Sequence, residues 1–183
     1  LGLNPTRFTV LLTGGGVGAG NMDEWIKALE SQCSNKQILV VTGNNKELYD
    51  KLKNKALPGL HVFGFVGNME VLMAASDIII TKAGPGTIME GAAMNRPLII
   101  TGAVGIQETG NIDLVTKNHL GYYYNNPRLA CQKINEIATA VRSSLTLNQS
   151  IIANGSASIA KIIIQQANYS QTALYDNTFS GVS

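Results

Sequence analysis

The stretch "DIIITKAGPGTIMEG", at residues 77–91, combines an apolar run, a glycine-containing turn and the start of an amphipathic helix. The run at 77–81 has no polar alternation, which is typical of a parallel strand covered by helices on both faces of the sheet. Gly84 and Gly86 then mark a tight turn, and the pattern after them predicts a helix near 87–94. This stretch therefore predicts one strand, turn and helix unit of an α/β fold.

Similar units occur along most of the chain. Strand-like runs alternate with helical patterns, which predicts a doubly wound, parallel, six-stranded, Rossmann-like sheet with strand order 3-2-1-4-5-6. The predicted strands are 8–12, 37–42, 60–65, 77–81, 96–101 and 120–124. The predicted helices are 22–33, 45–54, 69–75, 87–94, 128–143 and 148–168. We expect one domain at 1–168 and a polar tail at 169–183, rich in Ser, Thr and Asn.

The composition excludes several classes of protein. A formal net charge of +2 with scattered Lys and Arg argues against nucleic-acid binding, and the apolar runs are too short to span a membrane. We expect a soluble domain that can still act at a membrane surface. Cys33 and Cys131 are predicted to be free, buried thiols, and the isolated His61 and His119 predict structural roles and no metal site. The Leu1 start predicts a piece of a longer protein.

A second glycine cluster, "TGGGVGAGN" at 13–21, follows the first predicted strand. The predicted strand order makes strands one and four neighbours, so both glycine turns should lie at the same crevice at the carboxyl edge of the sheet. Glycine turns that lead into helices present free amides and the positive end of the helix dipole, which suits phosphate. A single glycine cluster is explained equally well by the need for small residues in a tight turn and by a bound ligand. Two clusters at one crevice favour a ligand, namely a diphosphate bound without a metal.

Two common nucleotide sites are disfavoured. Gly14, Gly16 and Ala19 fit the G-x-G-x-x-A pattern of dinucleotide-binding domains, but strand two ends in "VVTGNN", without the acidic residue that NAD ribose requires. No Gly-Lys-Ser/Thr tripeptide occurs in the chain, which disfavours a P-loop nucleoside triphosphatase.

Glu90 and the segment "GIQETGN" at 105–111 supply polar candidates. Glu90 can accept hydrogen bonds from two ribose hydroxyls, or it can complete a capping box with Thr87 at the helix start. Gln107, Glu108 and Asn111 can bind the hydroxyls of a polyol, or they can belong to an ordinary solvated loop before a helix. The residues alone leave both pairs of alternatives open.

The segment "HVFGFVGNMEVLMAASDIIITKAGPGTIMEGAAMNRPLIIT", at 61–101, followed by "GIQETGN", resembles a known family. It is similar to the C-terminal, donor-binding half of GT-B glycosyltransferases of the monogalactosyldiacylglycerol synthase type. That family includes bacterial diacylglycerol glycosyltransferases and, more distantly, the lipid-II-forming N-acetylglucosaminyltransferase. The similarity covers most of residues 8–142, and it implies a UDP-sugar donor and a membrane-lipid acceptor.

The resemblance also implies roles for individual residues. Glu90 would bind the ribose, Phe65 and Val66 would border the uracil, and the sugar would be bound by Gln107, Glu108 and Asn111. The residues implied to hold the diphosphate are Gly14, Gly15, Gly16, Val17, Gly18, Gly84, Pro85, Gly86 and Thr87.

The implied reaction is transfer of a hexose from UDP to a lipid hydroxyl with inversion, and no metal or other cofactor is expected. The catalytic base would belong to an N-terminal half, so we expect this chain to bind donor but to be inactive alone. Two alternatives stay open: a binding-only subunit that pairs with a separate acceptor-binding chain, and a UDP-sugar epimerase-like domain. The implied location is the cytoplasm or a membrane periphery, and the plastid envelope if the source is a plant or alga.

Overall fold

The computed structural model of this chain describes residues 1–14, 21–33, 35–55, 57–140 and 159–165. One six-stranded sheet has the order β3-β2-β1-β4-β5-β6, and every neighbouring pair of strands is parallel. Its strands are β1 (Thr9–Thr13), β2 (Gln37–Val41), β3 (Leu60–Phe63), β4 (Ile78–Thr81), β5 (Leu98–Ile100) and β6 (Gly121–Tyr123). The predicted doubly wound α/β sheet and its strand order are confirmed.

Helices connect successive strands, as the alternation of patterns predicts, although the helix between β5 and β6 is not among those predicted from the sequence. They are α1 (Met22–Gln32), α2 (Lys46–Lys53), α3 (Met69–Ala74), α4 (Pro85–Ala93), α5 (Thr109–Lys117) and α6 (Pro127–Ala140), with a 3-10 turn at Ile106–Glu108 before α5. Residues 159–165 are helical and belong to a separate unit of the chain. The rest of the predicted helix at 148–168, the end of the helix predicted at 128–143 and the predicted tail at 169–183 lie outside the described residues.

The strands are apolar on both faces because both faces are covered. Val10, Leu12 and Ile80 belong to a core cluster with buried residues of α1, α2 and α6. On the opposite face, α4 approaches the sheet so closely that a Cβ atom at Gly91 would lie 2.9 Å from Leu98 Cδ2 and 3.0 Å from Ile79 Cδ1. Period-two alternation along each strand thus places successive apolar residues in two separate layers of the core.

The two cysteines are free and buried, as predicted. They belong to one core cluster between α1 and α6, where the Cys33 thiol donates a weak hydrogen bond to Asn135 Oδ1 at 4.0 Å. The neighbouring Cys131 thiol lowers the pKa of Cys33, while Cys33 and burial raise the pKa of Cys131. The nearby Lys36 is 6% exposed and donates hydrogen bonds to Asn135 Oδ1 (2.5 Å) and Asn35 Oδ1 (3.2 Å). This polar group therefore ties the start of β2 to α6.

Gly121 provides a test of the sheet's outer pairing. It lies opposite Leu98 in the β5–β6 register, and a Cβ atom there would overlap the Leu98 backbone carbonyl. We expect Gly121→Ala to lower the free energy of unfolding by about 1–3 kcal/mol, since backbone has to move. The control is Gly110→Ala in α5, where a Cβ meets nothing within 4 Å and helix propensity predicts a gain of up to about 1 kcal/mol. Urea unfolding followed by circular dichroism measures both, and unchanged stability of Gly121→Ala would contradict the pairing.

Candidate functional site

The two glycine turns leave the sheet side by side. Thr13, the last residue of β1, pairs in register with Thr81, the last residue of β4. Gly14 is buried directly after β1, and the turn through Gly84 directly follows β4. The predicted Gly15, Gly16, Val17 and Gly18 lie outside the described residues. The described parts of both turns therefore open at the carboxyl edge, where doubly wound sheets bind ligands.

The turn after β4 ends in an uncapped helix terminus. Gly84 is the N-cap of α4, Pro85 is its first residue, and no side chain caps it. The first bond back to the cap is donated by the Ile88 amide to the Gly84 carbonyl, at 3.2 Å. Within the described part of the chain the amides of Gly86 and Thr87 have no acceptor. This terminus therefore offers two N–H donors and the positive end of a helix dipole to an anion.

The start of α4 corrects the prediction of a helix over 87–94 with a Thr87 cap. The helix begins at Pro85 because proline has no N–H to leave unsatisfied and its fixed φ suits the first helical position. Thr87 is therefore inside the helix, and the capping-box alternative for Glu90 is wrong. Glu90 lies in the second turn of α4 and is exposed, and its carboxylate has no hydrogen-bond or ion-pair partner among the described residues.

Glu108 is 8% exposed and both of its carboxylate oxygens are engaged. Oε1 forms an ion pair and hydrogen bond with Lys82 Nζ, and Oε2 accepts a hydrogen bond from the Val104 amide at 2.8 Å. The Lys82 hydrogen bond, followed by the Val104 amide, lowers the pKa of Glu108 against the opposing effect of burial. The carboxylate is therefore held in its charged form by two loops at once.

The sequence reasoning missed Lys82. Its position carries a usable signal, since a lysine directly after a buried apolar strand, and before a glycine turn, must place its ammonium at the carboxyl edge of the sheet. The partner was not visible in the sequence, because Glu108 lies 26 positions further along the chain.

The other two predicted sugar-binding residues occupy different environments. Asn111 Nδ2 donates a hydrogen bond to the Ala83 carbonyl at 2.8 Å, which ties α5 to the turn after β4. Gln107 is exposed, and its Nε2 donates to the Val104 carbonyl at 3.3 Å. Gly105, between Val104 and Gln107, has φ +79°, and a Cβ there would collide with the Gln107 side-chain amide. This loop conformation therefore favours glycine at position 105, and it leaves Gln107 at the surface.

Phe65 and Val66 follow β3, which is an edge strand of the same sheet. Phe65 is 70% exposed and Val66 is half-buried. A core role for Phe65, the ordinary expectation for an aromatic residue at a strand end, is therefore wrong. Its exposed ring lies at the carboxyl edge, where β1 and β4 also end.

The opposite edge of the sheet carries a large cavity of about 970 Å³. It is lined by residues that precede strands, such as Phe8, Lys36 and Asp77, and by the end of α6. Parallel α/β sheets bind ligands at the carboxyl ends of their strands, so this cavity is distinct from the candidate site.

Comparison with known proteins places the chain in a family. Residues 9–167 match the family model described as "Glycosyltransferase family 28 C-terminal domain". The chain belongs to this family. Monogalactosyldiacylglycerol synthase 1, chloroplastic, of Arabidopsis thaliana is 38% identical over 137 residues, covering 70% of this chain and 26% of that protein. The chloroplastic monogalactosyldiacylglycerol synthase of Spinacia oleracea is 36% identical over 145 residues, covering 74% and 28%. The chain thus spans about a quarter of the length of these relatives.

Solved structures of glycosyltransferases share the fold of this family 28 domain. The calicheamicin glycosyltransferase CalG4 aligns with a TM-score of 0.69 at 16% identity, over 93% of this chain and 45% of that chain. The C-terminal CMP-Kdo binding domain of WaaA from Acinetobacter baumannii aligns with a TM-score of 0.53 at 14% identity, covering 74% and 85%. The domain therefore has the architecture of one half of a GT-B glycosyltransferase, as predicted.

The described residues of this family 28 domain contain neither a metal-binding cluster nor a membrane-spanning helix. Among the residues that the structure describes, no group of three or more His, Cys, Asp or Glu side chains is arranged to hold a metal ion. In the same part of the chain, none of the helices combines the length and the apolar character that crossing a membrane requires.

The Glu108 ion pair predicts a pH-dependent stability. Because the pKa of Glu108 is lower in the folded chain than in the unfolded chain, its stabilisation is complete above the ordinary glutamate pKa of about 4.3. It is lost as pH falls through the lower folded-state pKa. We expect Glu108→Gln to cost about 1–3 kcal/mol of unfolding free energy at pH 7 and progressively less toward pH 3.

Urea unfolding between pH 3 and 7 measures this difference. Glu90→Gln is the matched control, because that carboxylate is exposed and has no partner in the described part of the chain. A Glu108→Gln penalty that stays constant across this range would contradict the assignment.

Proposed function

We propose that this chain is the donor-binding half of an inverting glycosyltransferase that takes a hexose from a UDP-sugar and passes it to a diacylglycerol-type lipid. The observation that carries the proposal is the uncapped amino terminus of α4, which opens beside the end of β1 with two amides that have no acceptor among the described residues. Membership of glycosyltransferase family 28 supports transfer of a sugar. The names of the relatives, monogalactosyldiacylglycerol synthases, support galactose and a diacylglycerol acceptor.

In this proposal the diphosphate is bound by backbone amides. The residues proposed to surround it are Gly14, Gly15, Gly16, Val17, Gly18, Gly84, Pro85, Gly86 and Thr87. At the start of α4 the donors are the Gly86 and Thr87 amides, whereas Pro85 has no N–H and only lines the turn. Charge that develops on the leaving diphosphate is stabilised by fixed amides and by the α4 dipole, which need no reorganisation during the reaction. The proposal therefore requires no metal ion and no other cofactor.

The remaining proposed contacts extend from the diphosphate toward both ends of the donor. Glu90 binds the ribose hydroxyls, and its free, exposed carboxylate supports this role. The exposed Phe65 and neighbouring Val66 border the uracil, and Gln107 and Asn111 reach the sugar from the loop after β5. The catalytic base and the lipid site belong to a preceding half, and a peripheral position on a plastid membrane is proposed from the chloroplastic relatives.

Glu90 is the sharpest single test of donor binding. Removing a carboxylate that accepts two ribose hydroxyl hydrogen bonds should cost about 1.5–3 kcal/mol, so Glu90→Ala should weaken UDP and UDP-hexose binding about tenfold or more. Calorimetric titration with UDP, UDP-galactose and UDP-glucose measures this loss.

The control for Glu90→Ala is Glu136→Ala, an exposed carboxylate on α6 paired with Lys133. That variant should bind like the unsubstituted chain. Equal UDP affinity of Glu90→Ala and the unsubstituted chain would rule out the ribose role, and an unsubstituted chain indifferent to uridine nucleotides would rule out the function.

Turnover separates donor binding from complete catalysis. We expect these 183 residues to bind UDP-galactose but to transfer no labelled galactose to diacylglycerol in mixed vesicles, because the proposed base lies in the preceding half. Glycosyl transfer by the chain alone would contradict that assignment, and conversion of a UDP-sugar to an epimer without added cofactor would replace the proposal with the epimerase alternative.

A further inference from the structure

Several contacts join the turn after β4 to the loop after β5. Lys82 pairs with Glu108, whose second oxygen accepts the Val104 amide, and Asn111 donates to the Ala83 carbonyl. The Ala83 amide also donates to the Gly102 carbonyl at 2.8 Å. The loop that carries Gln107 is therefore fastened to the turn that opens α4 by side chains as well as by backbone.

The Lys82–Glu108 pair lies against the N-cap of α4. A Cβ atom on Gly84 would be 3.6 Å from Lys82 Nζ and 3.9 Å from Glu108 Oε1. The side chains of Lys82 and Glu108 are only 24% and 11% exposed, so water screens their charges weakly. Without Lys82, the charge of Glu108 would lie unpaired beside the helix terminus and would repel an anion that approaches its amides. Because Lys82 balances that charge, the terminus stays favourable to phosphate.

We propose that Lys82 is a positioning residue for the sugar nucleotide. Its ion pair with Glu108 holds the loop after β5 against the amino terminus of α4, so that sugar and diphosphate are bound by one rigid unit. This inference rests on the proposed function. In this inference Glu108 does not contact the sugar directly, because both of its carboxylate oxygens already accept hydrogen bonds from donors within the chain. Gln107, exposed on the same loop, is then the side chain that the pair presents to the sugar.

A double-mutant cycle with two ligands tests the proposal. Lys82→Met, Glu108→Gln and the double variant are titrated with UDP and with UDP-galactose. We expect Lys82→Met to weaken UDP-galactose binding about tenfold and UDP binding less than about threefold, since UDP lacks the sugar that the loop addresses. In the Glu108→Gln background, Lys82→Met should cost less than about threefold further, and Lys82→Arg should retain most of the sugar-dependent affinity.

Matched measurements exclude a general loss of structure. Lys133→Met removes a lysine of similar side-chain exposure, 25%, from its pair with Glu136 on α6, and its donor affinity should not change. Without any ligand, amide hydrogen exchange at Val104 should accelerate in Lys82→Met and in Glu108→Gln, because the carboxylate that accepts this amide is released or removed.

The possible failures are distinguishable. Equal losses of UDP and UDP-galactose affinity that persist in the Glu108→Gln background mean that Lys82 contacts phosphate directly, which overturns the positioning role and leaves the proposed function standing. Unchanged UDP-galactose affinity of Lys82→Met overturns the inference in the same way. An unsubstituted chain that binds neither ligand overturns the proposed function and the donor role of Lys82 together, and unchanged Val104 exchange in both variants shows that the pair does not hold the loop.

Discussion

The parallel pairing of β1 with β4 is the constraint on which the rest of this domain depends. Once Val10 pairs with Ile78 and Thr13 with Thr81, the chain on either side of the pair winds in opposite directions across the sheet. The turns after these two strands then have nowhere to open except a common edge, and the helices that follow begin there. Two glycine-containing turns that are distant in sequence become neighbours for this topological reason.

The amino terminus of α4 shows how small residues and helix geometry leave backbone N–H groups open at the carboxyl edge of the sheet. Pro85 is the first residue of the helix, and glycine at the cap position adds no side chain of its own there. The unpaired amides of the first turn have a geometry set by the helix itself. Gly91 lies on the face of α4 that packs on the sheet, and its lack of a side chain lets the helix lie directly on Leu98 and Ile79. Close packing of α4 on the sheet and presentation of its terminus are therefore parts of one arrangement.

The polar residues of the loop after β5 look alike in the sequence, but the folded chain engages some of them in internal hydrogen bonds and leaves another exposed. Glu108 uses both carboxylate oxygens inside the domain, on Lys82 and Val104, whereas Asn111 uses only its Nδ2 there, on the Ala83 carbonyl. Gln107 is exposed beside them, and the left-handed Gly105 allows its amide to fold back over the loop. A carboxylate that is buried at such an edge requires a charged partner, so Lys82 and Glu108 depend on each other for stability as well as for position.

The sequence by itself determined the strands, most of the helices, the strand order and the shared carboxyl edge at which β1 and β4 end. Apolar runs, periodicity and the right-handed crossover rule are local or general properties, so no side-chain contacts are needed to apply them. The same local reasoning misplaced the start of α4, because Thr87 followed by Glu90 has the spacing of a capping box although Pro85 already begins the helix.

Only the tertiary structure decided that Phe65 is exposed, that the Glu90 carboxylate has no partner among the described residues, and that the Glu108 carboxylate has two. Each of these facts depends on which residues from distant strands surround the side chain, and pairing between Lys82 and Glu108 arises from the β4–β5 register and the fold of the following loop. The sequence shows which groups a side chain is able to bind. Its burial and its partners exist only once the chain has folded, and they set the free-energy cost of leaving a charge unpaired.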